Sequence, residues 1–427
     1  MFRSIPSLAG SNIYELNVRQ YTAAGTFQAL KPHLPRLRSM GIDILWFMPI
    51  TPISLKERKG SLGSYYAAGD YTSINPEFGT MEDFVSLVDA AHQLGFKVII
   101  DWVANHTGWD HTWTRSHPEY YVRNQQGSFY EKNGWEDVID LDHQNPLMQD
   151  AMIDAMKYWV EKAGIDGFRC DMAMLVPLEF WIKARGTLDG IRPLIWLAEC
   201  EDQRYFEAFD MLYAWEWMHL TRSVAHGGHR SSLEGLLAKY KQYTVDHKRQ
   251  LFFTSNHDEN SWNGTEYERY GALAKSFAAL SILIPIGIPL IYAGQELPLM
   301  HRLKFFDKDC IPFDDGEMAL HSFYQCLLLL RANNPIFSSM AQDQDWAINT
   351  LTEDDQVFTM HLGKGKHHEV IVLMNLSAEN KEINLNNKKL GDRYKNVFTQ
   401  QEFYPNTAQY MILSGAGINV YERSDSH

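Results

Sequence analysis

Short apolar runs recur along most of the chain. Longer segments separate them, with apolar positions returning every three or four residues. The runs fall at 13–18, 42–48, 97–100, 165–170, 194–198, 208–212, 251–255 and 288–292. Runs of this length flanked by turn residues read as buried strands. The helical period is clear over 27–40, 81–94 and 147–163, and Gly41, Gly95 and Gly164 follow as C-terminal stops. A last helix is expected over 319–331. Buried strands alternating with helices predict an α/β fold, a (β/α)8 TIM barrel.

The pattern changes after Asn334-Pro335. Short β-type segments follow at 357–362, 370–375, 381–385, 410–413 and 418–421, parted by polar turns. They predict a C-terminal antiparallel β-sandwich. The expected organisation is a barrel from 1–106 and 143–340, a short inserted loop domain at 107–142 after the third strand, and the sandwich at 341–427. The insertion carries Trp109, Trp113, Tyr120, Tyr121, Tyr130 and Trp135. A long loop at that end of a barrel strand is usually functional, so these rings are either a cleft wall or a self-packed cap. The uncharged stretch 277–294 is long enough to raise a membrane span, but Pro285, Gly287 and Pro289 interrupt it, so it reads as a buried helix end, a turn and a strand.

Composition narrows the partners. With 39 basic against 53 acidic residues the net charge is −14, which argues against nucleic acid and anionic membranes and leaves a neutral ligand open. Cys170, Cys200, Cys310 and Cys326 show neither a CxxC pair nor zinc spacing and read as packed thiols. No basic region with an apolar core precedes Glu15, so no signal peptide is expected and the cytoplasm is favoured.

The candidate chemistry lies at strand ends. Asp171 closes the run Gly167-Phe168-Arg169-Cys170, and Glu199 closes Leu197-Ala198. A carboxylate at the end of a buried strand is costly unless it is used or paired. In a parallel barrel that end is the reactive face, and two facing carboxylates are the minimum for cleaving a glycosidic bond. Arg169 and Asp171 point the same way along their strand, which predicts that the arginine keeps Asp171 ionised and lowers its pKa below that of Glu199. Further polar sets are Asp101-Trp102-Val103-Ala104-Asn105-His106 and Ser255-Asn256-His257-Asp258-Glu259-Asn260. Alone, each residue has a plain structural reading: an ion pair for Asp171 with Arg169, a helix cap for Glu199, hydrogen-bonded structural roles for the two histidines, and loop anchoring for Asp101.

Taken together and in this order, these segments resemble the α-amylase family of glycoside hydrolases (family 13). Asp101 to His106 is similar to its Asp-x-x-x-Asn-His motif, Gly167 to Asp171 to Gly-Phe-Arg-x-Asp, and Asn256-His257-Asp258 to its last motif. Tyr66 with Asp70-Tyr71, Asp140-Leu141-Asp142, and Ile288 to Glu296 add further echoes. The resemblance implies a retaining hydrolase of α-glucosidic bonds, most simply α-1,4, in maltooligosaccharides or starch-like glucans. It implies Asp171 as nucleophile, Glu199 as acid and then base, and Asp258 as transition-state stabiliser. It also implies substrate-binding roles for Tyr66, His106, Arg169, His257 and Asp101, with Arg169 orienting Asp171.

One departure stands out. Many members carry Lys-His shortly after the nucleophile, helping to bind sugar and calcium; here Met174 and Leu175 stand there. Asn105 is retained as a calcium ligand candidate, so no cofactor is required but a calcium is allowed, against the weight of the lost polar group. A transglycosylase would use the same site. A non-catalytic binding barrel conflicts with the three carboxylates, and a metal-dependent hydrolase lacks any His-x-His or His-Glu-x-x-His cluster.

Overall fold

The computed structural model describes residues 2, 8–244, 248–313, 317–338, 345–363, 367–385, 390–405 and 410–423. Eight parallel strands close into a barrel in which every strand pairs with its neighbours in the chain order of the barrel and the first pairs with the last. They are β1 (Ile13–Leu16), β2 (Ile44–Phe47), β3 (Lys97–Trp102), β4 (Gly167–Cys170), β5 (Ile195–Ala198), β6 (Met211–Tyr213), β7 (Arg249–Phe252) and β8 (Gly287–Tyr292). Inward side chains such as Ile13, Trp46, Ile99, Leu197, Leu251 and Ile288 pack together and fill the barrel. The outward faces pack on the surrounding helices in a second, larger cluster. Gly167 is required where β4 meets β5, since a Cβ there would lie 2.0 Å from the Ile195 carbonyl oxygen.

Several helix ends follow local chemistry. Thr80 and Asp83 form a reciprocal cap at the start of Met81–Gln93. Asn145 accepts from the Leu147 and Met148 amides ahead of Pro146–Lys162. Gly41 and Gly95 adopt the left-handed conformation directly after their helices.

The structure corrects four expected elements. The helix expected over 27–40 is two short α-helices, Phe27–Leu30 and Leu34–Met40, joined by a 3-10 turn, because Pro32 and Pro35 lack the amides a continuous helix needs. The strand expected at 208–212 is Met211–Tyr213; Ala208 and Phe209 are buried outside it, ahead of Asp210, whose carboxylate accepts from the Trp196 amide at 3.0 Å. The strand expected at 251–255 starts earlier, at Arg249, whose polar side chain hid it. The last barrel helix is His321–Asn333.

The chain after β3 forms a two-stranded ribbon, His106–Gly108 with Val138–Asp140, within the insertion. Beyond the barrel, a six-stranded antiparallel sheet is ordered Trp346–Ile348, Val357–Leu362, Val370–Asn375, Ile418–Arg423, Tyr394–Asn396 and Glu402–Phe403. A second pair, Lys381–Ile383 with Met411–Leu413, packs Ile383 and Leu413 against Val357, Ile371 and Leu373 of that sheet. Tyr394–Asn396 and Glu402–Phe403 are strands that apolar patterning did not reveal. The boundary expected at 340/341 lies outside the described residues. The stretch around 277–294 is a buried helix, Ala274–Leu283, and strand β8; among the described residues no helix is long and apolar enough to cross a membrane.

Candidate active site

A cavity of about 430 Å³ opens at the C-terminal ends of the barrel strands. Asp171, Glu199, Asp258, Tyr66, His106 and His257 all line it. Residues from the ends of β4, β5 and β7 and from the loops after β2 and β3 therefore meet in one place, as the strand-end pattern implied.

Arg169 organises the floor. The parallel register sets it level with Asp101 on β3. Its Nη1 donates to Asp101 Oδ1 and Asp171 Oδ1, both at 2.9 Å, and its Nη2 donates to Glu199 Oε2 at 2.8 Å. Its Nε donates to the Tyr213 hydroxyl at 3.1 Å. Asp101 also accepts from Tyr66 at 3.1 Å and from the Trp46 indole at 3.3 Å. The side chains of Arg169 and Asp101 are wholly without solvent exposure. This corrects the expectation of direct sugar contact by these two residues: they lie beneath the cavity and hold the groups that face it.

Burial sets the proton affinities. It pushes Glu199 up to about 7 and Asp171 up to about 6, in each case against the pull of Arg169. Asp171 was expected to be low because of Arg169. The arginine spreads its charge over three carboxylates, so desolvation wins, although Glu199 remains the weaker acid of the pair. Met172 sits in the left-handed conformation, and its amide donates to Glu199 Oε2 at 2.9 Å.

The other wall is built around His257. Burial opposes its charge, but Asp258 and Glu15 outweigh this and hold the imidazole protonated well above its usual range. Its Nδ1 meets Glu15 Oε1 at 2.5 Å and its Nε2 lies 3.2 Å from Asp258 Oδ2. Against burial, His257, Arg169 and the Trp262 indole hold Asp258 below the usual carboxylate range. Asp258 has a side chain 35% exposed, against 9% or less for Asp171 and Glu199, so it is the carboxylate most open to a ligand. His106 is kept neutral by burial, which lowers it to about 4, and its ring packs edge-on against Trp135. Tyr66 stacks on His257 with ring centroids 5.4 Å apart.

Sequence reading missed Glu15, Lys59, Trp262, Phe305 and Phe306. Glu15 carried the same signal as Asp171, a carboxylate within an apolar strand run. The aromatic residues carried none: Phe305 and Phe306 sit in an irregular loop, and Trp262 in the single π-helical turn Glu259–Asn263. Of the six aromatics in the insertion, Trp135 lines the cavity. Trp113, Tyr120 and Tyr121 pack against Tyr71, His117 and Phe129 instead, as a cap.

Asn105 was the calcium candidate. It lies beside Asp140 and His106. Both Asp140 oxygens are buried and lack a donor at hydrogen-bonding geometry. The Lys132 ammonium stands 3.8 Å from Asp140 and supplies a positive charge there. Among the described residues no group of three or more His, Cys, Asp or Glu side chains could hold a metal ion. One carboxylate and one amide beside a lysine do not fit calcium, which takes six to eight oxygens.

This arrangement has known counterparts. The family model for the alpha amylase catalytic domain matches residues 10–189. An α-amylase from Lactobacillus plantarum superposes with a TM-score of 0.87 at 29% identity, over 98% of this chain and 100% of that one. Over residues 10–189 the chain matches the α-amylase family. A noncanonic maltogenic α-amylase, AmyB, from Thermotoga neapolitana matches equally well, with a TM-score of 0.87 at 29% identity over 98% and 100% of the two chains. The α-amylase MalA of Haloarcula japonica is 28% identical over 351 residues, 78% of this chain and 50% of the relative. The chain thus spans half the length of that curated relative.

Proposed function

We propose that the protein is a retaining glycoside hydrolase that cleaves α-1,4-glucosidic bonds in maltooligosaccharides or starch-like glucans. One observation carries the reading: a single buried guanidinium holds Asp171 and Glu199 on its two arms at 2.9 and 2.8 Å, at the floor of a cavity. Carboxylates bridged in this way fit the close spacing of about 5–5.5 Å that retaining enzymes use, rather than the roughly 6.5–9.5 Å that leaves room for a water. Asp171, the stronger acid of the pair, attacks the anomeric carbon as a carboxylate. Glu199 gives its proton to the leaving oxygen, and then takes one from the water that releases the sugar. Asp258 and the charged His257 bind hydroxyls of the sugar held over Tyr66, where contacts that tighten in the transition state lower the barrier. Arg169 and Asp101 position the acids, and no step needs a metal.

Asp171→Asn keeps the shape and removes the nucleophile. It is expected to lower kcat by at least about a thousandfold with an unchanged circular dichroism spectrum and melting curve. Near-full activity in that variant would overturn the assignment.

Transfer to a second sugar uses the same intermediate. Met172 lines the cavity beside Glu199, and Met174 is 43% exposed just beyond it. Such an apolar acceptor side favours the CH face of a sugar over water when sugar is concentrated, and products longer than the substrate would reveal it. The four cysteines are free thiols, which suits a reducing, cytoplasmic setting.

A further inference from the structure

The loop after β2 does more than carry Tyr66. Over 54–64 it is fastened on both flanks. Towards the insertion, Asp110 accepts from the Leu55 and Lys56 amides, each at 3.1 Å, and Lys59 Nζ pairs with Asp137 Oδ1 at 3.2 Å. Towards the loop after β8, the Leu62 amide donates to the Phe306 carbonyl at 2.9 Å and the Ser61 amide to Asp307 Oδ1 at 2.8 Å. Gly60 lets the two loops touch: a Cβ there would lie 2.4 Å from Phe306 Cβ. Lys59, Asp137 and Phe306 all line the cavity. Three loops from three parts of the chain are thereby joined into one continuous wall.

Barrel order says which end this wall closes. In a ring of eight strands β1 stands opposite β5, and β2 and β8 flank β1. The wall between the loops after β2 and β8 therefore faces Glu199, which ends β5. A general acid stands on the side of the leaving group, so the acceptor sugars extend past Glu199 and Met172. The sugars retained on Asp171 extend the other way, towards Lys59 and Phe306.

We infer that the donor side is a blind pocket, and that the enzyme takes short units from the non-reducing ends of α-glucan chains instead of cutting within them. Lys59 is the specificity-determining residue of the wall. Its ammonium closes the gap to the insertion through Asp137, and it faces the terminal sugar with hydrogen-bond donors for its outer hydroxyls. This inference rests on the hydrolase reading above and adds the mode of attack.

The test compares two reducing-end-labelled maltoheptaoses. One has a free non-reducing glucose; in the other its 4- and 6-hydroxyls are capped as an ethylidene acetal. Products of the full chain are sized by chromatography. The free substrate is expected to lose short units from its non-reducing end, and to be cleaved at least about a hundredfold faster than the capped one. Lys59→Ala, at a side chain already one-third exposed, is expected to raise the capped-to-free rate ratio at least about tenfold with an unchanged melting temperature. Cleavage of both substrates at similar rates with scattered products would overturn the inference, as would an unchanged ratio in the folded Lys59→Ala variant. If neither substrate is turned over, the hydrolase reading fails. Calorimetry of the two oligosaccharides then decides the wall by itself: preference for the free end supports it, equal binding refutes it.

Discussion

Arg169 touches Asp101, Asp171 and Glu199 at once, and so one cation must serve three anions in a desolvated site. Burial, only partly offset by the shared guanidinium, is why both working carboxyls sit above their usual range, Asp171 at about 6 and Glu199 at about 7. The consequence is a narrow pH window. Below about 6 Asp171 takes up a proton and loses its nucleophilicity; above about 7 Glu199 loses the proton that the leaving group needs. The pH dependence of kcat/KM is therefore expected to be a bell centred between these values, with the limbs belonging to the coupled pair. Glu199→Gln is expected to remove the alkaline limb and to slow substrates with poor leaving groups by about a hundredfold or more, while activated leaving groups suffer less. A flat profile above pH 7 in the unaltered protein would contradict the acid role of Glu199. At this scale the chemistry was legible in the chain, because carboxylates and histidines at the ends of apolar runs have no cheap alternative to use or pairing. The support beneath was only partly legible: nothing local to Asp101 or Tyr213 says that they converge on Arg169.

Among the elements, the insertion after β3 combines its two expected readings, with Trp135 on the cavity and Trp113, Tyr120 and Tyr121 packed as a cap. Its ribbon places Asp140 in the interior, where Lys132 stands in as countercharge at 3.8 Å. We therefore propose that the fold draws little stability from calcium. A chelator is expected to shift Tm by less than about 2 °C; a large fall reversed by calcium would show that the insertion binds the ion. Strands and helices with strong apolar periodicity were legible, as in Met81–Gln93 and Gly287–Tyr292. The elements that were not have physical reasons. Pro32 and Pro35 break a helix whose apolar period continues through them, Arg249 and Gln250 bring buried polar groups into a strand, and Glu402–Phe403 is too short to show alternation.

At the scale of the molecule, closure of the barrel makes the site. Residues 171 and 199 come from adjacent strands, Tyr66 and Asp258 reach the same cavity from the second and seventh positions of the ring, and Glu15 on the first holds His257 from behind. The second layer extends beyond the barrel: Ser276 donates to the Ala416 carbonyl at 2.7 Å and Asn334 to Glu422 at 2.8 Å, fastening barrel helices to the C-terminal sheet. One guanidinium holds the two carboxyls at 2.9 and 2.8 Å, an arrangement that suits the close spacing of a double displacement at the anomeric carbon. The most direct test is proton NMR of a maltooligosaccharide digest in its first minutes, before mutarotation. The α-anomer of the released sugar is expected to appear first. Initial appearance of the β-anomer would contradict it.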